Sequence, residues 1–509
     1  GIKTSKTFKT LLCAGALFSA CASAQPGSGH EKYTSPLDAR YASDEMLRLW
    51  SDDTKFKLWR RMWAVLAKSQ MELGVKEITP AQVAELQAAI DMPIDYQFAA
   101  AQEKKLRHDV MAHVYTLAEQ CPTAKPIIHL GATSMDIQDN AELIQLKQAM
   151  ALLRLNVLQL LDELRVFALA NKDVVTLGYT HGQAAQLTTV GKRACMWAES
   201  LQIALDHLDA EMNSLKLRGI KGTTGTQATL LAMFHGDHAK VDKLEALVLK
   251  ELGFKEAYAA TGQTYPRNVD YHVVSSVAGV GVAIAKMCED IRLLASHGEL
   301  SEPFESSQIG SSAMAYKQNP MRSERACSLA RDLIGLAQQP AYTSSTQWLE
   351  RSLDDSANRR IVLPEAFLLC DAVNKIALNV VKGLRVNKAV IARHVRDELP
   401  FMATEQIILD SVAQGGDRQN MHEAIRELSV KVAKNVKEDG LENNLIALIG
   451  ADERFPVKVR DTLKIKPLDP TAYIGRSSQQ VDVFCKKLDQ KLVKSGLDRT
   501  VVNKADLKV

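Results

Sequence analysis

What this chain lacks narrows its identity before any motif is read. Its eight cysteines, at 13, 21, 121, 195, 288, 327, 370 and 485, form no CxxC pair and no ligand-like spacing. That argues against a zinc site or a disulfide framework and fits reduced thiols in a cytoplasmic protein. Charge of one sign is missing too: the formal +3 comes from 63 basic and 60 acidic residues, and Lys3, Lys6 and Lys9 account for the whole surplus. No general field draws nucleic acid or an anionic membrane to such a surface, although a local group of arginines still suits a phosphorylated small molecule. Beyond the first thirty residues no apolar run of eighteen is evident, so no membrane span is expected. Repeats and low-complexity tracts are absent. Strand signals are weak, the best being Ile127-Ile128-His129-Leu130 and Ile474, enough for local pairing only.

Several chemical signatures are missing as well. No G-x-G-x-x-G follows a strand pattern, which disfavours a dinucleotide-binding oxidoreductase, and no G-x-S-x-G elbow marks a hydrolase nucleophile. No cluster of metal-ligating residues suggests metal-assisted hydrolysis. The glycine-rich run Arg218 to Gln227 lacks the GK[ST] ending and the βαβ setting of a P-loop.

What is present is helical periodicity at 46% apolar composition over 509 residues, enough for a large core. Residues 1–30 pass from three lysines through Leu11 to Phe18 to Ala22-Ser23-Ala24, the outline of a secretory signal. The downstream cysteine usage favours instead a disordered leader or non-native extension outside the fold. Residues 31–133 read as an N-terminal helical domain. From Asn140 a proline-free stripe, Leu143, Leu146, Met150, Leu153, Val157, Leu160, Leu164 and Phe167, opens a long helix. With Leu187 to Leu217, Val269 to Ala295, Met321 to Leu336 and Ser356 to Leu384 it forms a central bundle and oligomerisation domain, residues 134–386. Shorter helices follow in a C-terminal domain, residues 387–509. The fold class is therefore all-α, a long central bundle with smaller helical domains at each end.

The chemistry-bearing residues lie in the loops between these helices. Gly310-Ser311-Ser312-Ala313-Met314-Ala315-Tyr316-Lys317-Gln318-Asn319-Pro320-Met321-Arg322-Ser323-Glu324-Arg325 packs small, polar and basic groups into one segment. It reads as a flexible loop able to close on an anion before a helix begins near Pro320. Lys317 and Asn319 suit the stabilisation of developing negative charge. His129 to Ser134 is either a helix cap or a carboxylate-binding helix start using Thr133 and Ser134. His181, among Thr180, Gln183 and Gln186, is either a surface residue or a proton donor, since imidazole exchanges protons near neutrality. The Arg218 to Gln227 run is either a turn or a nest of N–H donors for an oxyanion. Arg351 and Arg360 bracket Ser356, and with Arg40, Arg107 and His108 they are either surface ion pairs or bidentate anion binders.

Taken together these stretches resemble the fumarase/aspartase superfamily, whose signature loop matches Gly310 to Arg325. Ser35-Pro36-Leu37 with Ala39-Arg40-Tyr41, Arg107 to His113, Gly131 to Ser134, Lys221 to Gln227 and Leu353 to Arg360 extend the match. In order and spacing from about Tyr33 to Leu507 they resemble the adenylosuccinate lyase family of the animal type. The resemblance implies a fumarase/aspartase-like fold, no cofactor, purine nucleotide substrates, and a homotetramer whose active sites draw loops from three subunits. It implies β-elimination of fumarate, with Ser311 as base, His181 as acid, Glu324 orienting His181, and Lys317 stabilising the aci-carboxylate. His108 is implied beside the phosphate. Substrate-binding roles are implied for Arg40, Tyr41, Arg107, Asp109, Thr133, Ser134, Gln263, Asn319, Arg325, Arg351, Ser356 and Arg360. Argininosuccinate lyase, or another fumarate-releasing lyase of the superfamily, is the alternative. Three positions depart from the family pattern: Gly182 and Ala184 stand where an aromatic residue and a proline are usual, and Ala315 replaces a proline. Each is expected to loosen its loop.

Overall fold

The computed structural model describes residues 30–501, 507 and 508. The expected leader, Cys13 and Cys21 therefore lie, apart from His30, outside the described residues. Five long helices build the centre: α1 (Ser134–Ala170), α2 (Val190–Ser214), α3 (Asn268–Ser296), α4 (Met321–Leu336) and α5 (Asp354–Gly383). Their apolar stripes are the reason they meet. Leu143, Leu146, Leu153, Val157, Leu160 and Leu161 of α1 are wholly buried, as are Val273, Val277 and Val280 of α3. Gly281 lets α3 approach α4 closely, since a Cβ there would meet the Leu333 side chain at 2.8 Å. The architecture is the all-α bundle expected from the sequence.

α3 qualifies one expectation. Its mean hydropathy of 1.4 over an 18-residue window makes it long and apolar enough, by length and composition, to cross a membrane, yet 61% of that window is buried inside the protein. Packing against four other helices accounts for its composition.

On the N-terminal side, helix Asp52–Glu72 packs beside α1, and helices Tyr96–Leu106 and Asp109–Gln120 pack against each other. Ser51 caps the first of these by accepting the Thr54 N–H. The sequence pattern runs unbroken through Arg107-His108-Asp109, but the chain breaks there: Arg107 adopts φ +55° as the cap of one helix, and His108 caps the next. Neither proline nor glycine marks that break.

After α5 the chain contributes to two cores. Ala403, Ile407, Met421, Ile425, Ile449 and Phe455 form a small separate one. Helix Ser477–Lys494 instead returns Val481, Cys485, Leu488 and Leu492 to the main core against α1 and α2. The six described cysteines are unbridged and buried.

Two small antiparallel pairings interrupt the helices. β1 (Val175–Thr180) pairs with β2 (Gln183–Thr189), and β3 (Leu300–Ser301) with β4 (Arg385–Val386). These are not the strands foreseen. Ile127 closes a short 3-10 turn Lys125–Ile127 that begins beside Pro126, and Ile474 follows another, Pro470–Tyr473.

Candidate active site

The segment around His181, read from sequence as a polar loop, is the tip of the β1–β2 hairpin. Thr180 pairs with Gln183, leaving His181 and Gly182 as the two-residue turn at φ +53° and +72°. A two-residue hairpin turn with both residues at positive φ matches the twist of its strands and favours glycine. Gly182 therefore suits this turn and does not loosen it. A bulge at Gly178 fits closely against the Gln186 carbonyl, 2.8 Å from where a Cβ would stand. The imidazole of His181 is exposed and has no side-chain partner among the described residues. In particular, no hydrogen bond joins it to Glu324 within the chain. Glu324 lies instead within electrostatic reach of Arg292.

The hairpin sits at the C-terminal end of α3, where the Tyr179 and His297 rings lie 5.9 Å apart. At that end the chain also turns into the Gly310–Arg325 loop. Glu302, buried before the loop, accepts the N–H groups of Arg322 (2.8 Å) and Ser323 (3.1 Å) and the Ser323 hydroxyl (2.9 Å) beyond it. Burial pushes its carboxyl above the usual range. The Arg322 guanidinium donates to Asn379 (2.7 Å) and Glu305 (2.6 Å), so both stems of the loop are fixed to the bundle.

Within the loop, Ser311 Oγ accepts the N–H groups of Ala313 (3.3 Å) and Met314 (3.1 Å). Two N–H donors aimed at one oxygen favour its anionic form. Gly310 supplies closeness and not the flexibility expected of it: a Cβ there would stand 1.9 Å from the Lys317 carbonyl oxygen. Asn319 closes the same ring by donating to the Gly310 carbonyl at 2.8 Å. Lys317 is exposed, and its ammonium has no partner among the described residues. Arg325 and Arg40 both lie over the Tyr41 ring, at 5.6 and 5.9 Å. That places Arg40 and Tyr41 with Arg325 and apart from Arg351.

A second assembly occupies the opposite end of α3. Arg351 donates to Gln263 (3.0 Å) and Asp355 (3.1 Å), bringing together residues 88 apart in sequence. Asp355 accepts also from Arg267 (2.9 Å), which is held in turn by Asp139 (3.1 Å). Arg267 and Arg351 hold the Asp355 carboxyl below the usual range against the opposing effect of its burial. Arg360 donates to Asp109 at 2.6 Å, and Gln138 donates to the same oxygen. His108 Nδ1 accepts the Met111 N–H (3.3 Å), leaving Nε2 to carry the proton 3.4 Å from Ser134 Oγ. Thr133 donates its N–H to Asp136 (2.8 Å), so the cap and the site share one helix start. Arg107 is exposed beside them.

Of this assembly, Arg351 and Arg360 line a cavity of about 290 Å³ together with Ser356, and also with Lys55, Gln138 and Glu142. The last three were not foreseen. Lys55 and Glu142 look like ordinary polar positions of amphipathic helices, and only the fold turns them inward.

The glycine-rich loop is a nest of donors whose anion lies within the chain. The N–H groups of Lys221 (2.8 Å) and Gly222 (3.2 Å) and the guanidinium of Arg218 all converge on buried Asp136. Its oxyanion is the protein's own carboxylate. Among the described residues no group of three or more His, Cys, Asp or Glu side chains is arranged to hold a metal ion.

α3 has 29 residues, so the cavity at one end lies roughly 40 Å from the hairpin and lid at the other, at 1.5 Å per residue. A mononucleotide cannot bridge that distance. Within one chain the two assemblies stand apart.

Known lyases resemble this chain over most of its length. Residues 39–335 match a family model described as lyase, and residues 400–484 one described as adenylosuccinate lyase C-terminus. The chain is 47% identical to adenylosuccinate lyase of Schizosaccharomyces pombe, covering 89% of this chain and 94% of that one. It is also 47% identical to the enzyme of that name from Saccharomyces cerevisiae, covering 90% and 95%. Among solved structures, 3-carboxy-cis,cis-muconate lactonizing enzyme from Pseudomonas putida aligns with a TM-score of 0.77 at 22% identity, over 90% of this chain and 99% of that one. That likeness speaks for the fold alone.

Proposed function

Because this chain belongs to the adenylosuccinate lyase family, we propose that it splits adenylosuccinate into AMP and fumarate. We extend the proposal to the related step in purine synthesis, in which succinylaminoimidazole carboxamide ribotide (SAICAR) gives AICAR and fumarate. The observation that carries the substrate class is the cavity holding Arg351, Ser356 and Arg360. Asp355 and Asp109 each accept from one edge of a guanidinium and hold it in place, which prepares the remaining donors for a phosphate. Argininosuccinate carries no phosphate and offers such a cavity only carboxylates.

In this reading Ser311 takes the proton from Cβ of the succinyl group as an alkoxide. The freed electron pair forms the carbon–carbon double bond of fumarate, the C–N bond breaks, and His181 gives its proton to the departing nitrogen. Acidity beside a carboxylate is poor, so the developing aci-carboxylate needs a cation close by. Lys317, unpaired at the lid, is that cation. Thr133 and Ser134 hold the succinyl carboxylates, His108 sits by the phosphate, and Arg40, Tyr41, Arg107, Asp109, Gln263, Asn319 and Arg325 complete the binding surface. Glu324 orients His181 from a neighbouring copy, since the two do not meet within one chain. We propose further a cytoplasmic homotetramer with sites shared between subunits; the separation of the parts supports the sharing.

The test is direct. Purified protein should release fumarate, followed by ultraviolet absorbance, from adenylosuccinate and from SAICAR, and none from argininosuccinate. Fumarate from argininosuccinate alone would replace this reading with the alternative lyase.

A further inference from the structure

We propose that Lys55 is an additional anion-binding residue of the cavity, contacting the phosphate of the nucleotide beside Arg351, Ser356 and Arg360. This inference rests on the reading of the cavity as a nucleotide site. Lys55 lies in helix Asp52–Glu72, and its side chain lines the same cavity as the two arginines.

Its surroundings distinguish it from those arginines. Arg351 is engaged by Asp355, and Arg360 by Asp109. Arg359, which also lines the cavity, is engaged by Asp270 (2.7 Å) and Glu142 (2.7 Å). The ammonium of Lys55 has no hydrogen-bond acceptor and no ion-pair partner among the described residues. It lies over the faces of Phe56 (5.2 Å) and Trp59 (5.4 Å). Those faces attract and orient a cation but accept no conventional hydrogen bond. Three N–H donors of a half-buried ammonium thus meet no protein acceptor at a cavity wall. A charged, partly desolvated group gains from charged acceptors, and an entering oxyanion would supply them.

The electrostatics point the same way. Burial, and next the like charge of Arg360, hold the Lys55 amine below the ordinary lysine range. Glu142, Asp109 and Asp52 oppose that shift, but two of them belong chiefly to arginines: Glu142 to Arg359, and Asp109 to Arg360. A dianionic phosphate among Lys55, Arg351 and Arg360 would relieve the repulsion between the cations.

The experiment uses the intact oligomer and measures equilibrium binding of AMP and of adenosine by calorimetry. Lys55→Met should weaken AMP binding by about tenfold or more, the weight of one charge-assisted hydrogen bond. Adenosine affinity should stay within about twofold, and Lys55→Arg should restore much of the AMP affinity. Lys55→Gln serves in place of Lys55→Met if the apolar variant fails to assemble. AMP affinity unchanged in Lys55→Met or Lys55→Gln, or adenosine and AMP weakened equally, would overturn the proposal and leave Lys55 a packing cation on Trp59. A wild-type protein that binds AMP yet releases no fumarate would sink the proposed reaction without touching this assignment.

Discussion

Replacing Ser311 with alanine should lower kcat by about a thousandfold or more, with AMP affinity held within about threefold of wild type. The expectation follows from where the hydroxyl sits. Its oxygen already accepts two backbone N–H groups from the turn that follows it, at 3.3 and 3.1 Å. Those donors hold the hydroxyl in the ground state and strengthen when the proton leaves, which is the condition for a serine to act as a base. Alanine keeps the turn sterically but removes the reacting atom. Binding should persist because the cavity proposed for the nucleotide stands at the other end of α3, with Arg351 held by Asp355 and Gln263. Steady-state kinetics beside calorimetric AMP binding separates the two effects. A Ser311→Ala enzyme within tenfold of wild type would remove Ser311 from the chemistry.

The second large effect concerns stability. Arg267 is buried, lies 4.6 Å over the Tyr265 ring, and holds the buried carboxylates of Asp139 and Asp355 together. Arg267→Ala would leave two carboxylates inside the bundle without their shared cation, a change that costs about 3–5 kcal/mol where one partner of a buried pair is removed. Unfolding of a large oligomer is rarely two-state, so the practical readout is the midpoint of a thermal scan, which should fall by several degrees. Arg426→Ala is the matched control. Arg426 pairs with Glu423 on the surface, at 2.6 Å and with both side chains more than half exposed, and its loss should leave the midpoint unchanged. Arg267→Ala should also weaken AMP binding, because Asp355 would lose the neighbour that fixes it against Arg351. A variant as stable as wild type would mean that the bundle rearranges around the two carboxylates.

Much of this architecture was legible in the residues. The five long helices follow from apolar stripes too long and regular for another fold, and the lid announced itself by a run of small, polar and basic residues that no core would hold. The His181 hairpin was less visible. Its strands are short, broken by Gly178, and polar on their exposed face, so alternation never rises above the background. The break at Arg107 was hidden because a non-glycine residue takes the left-handed conformation there. Local reasoning also left open which anion the glycine-rich loop binds; its donors turn to Asp136, a residue some eighty positions earlier. Long-range pairing of that kind leaves no trace in spacing. The grouping of the site residues was equally hidden: Tyr41 stacks beneath Arg325, whereas Arg360 finds Asp109, and only the packed helices decide between them.

The central claim is that one chain holds parts of separate sites, with the phosphate cavity at one end of α3 and the lid and hairpin at the other. Mixing subunits tests it most directly. Ser311→Ala alone and the double variant Arg351→Ala, Arg360→Ala alone should each be nearly inactive. Co-assembled in equal amounts, they should regain up to about a quarter of wild-type adenylosuccinate cleavage, because random assembly of a shared site restores that fraction of intact combinations. Activity no greater than the sum of the two parents, in oligomers verified to contain both chains, would contradict the account and place a complete site within each chain.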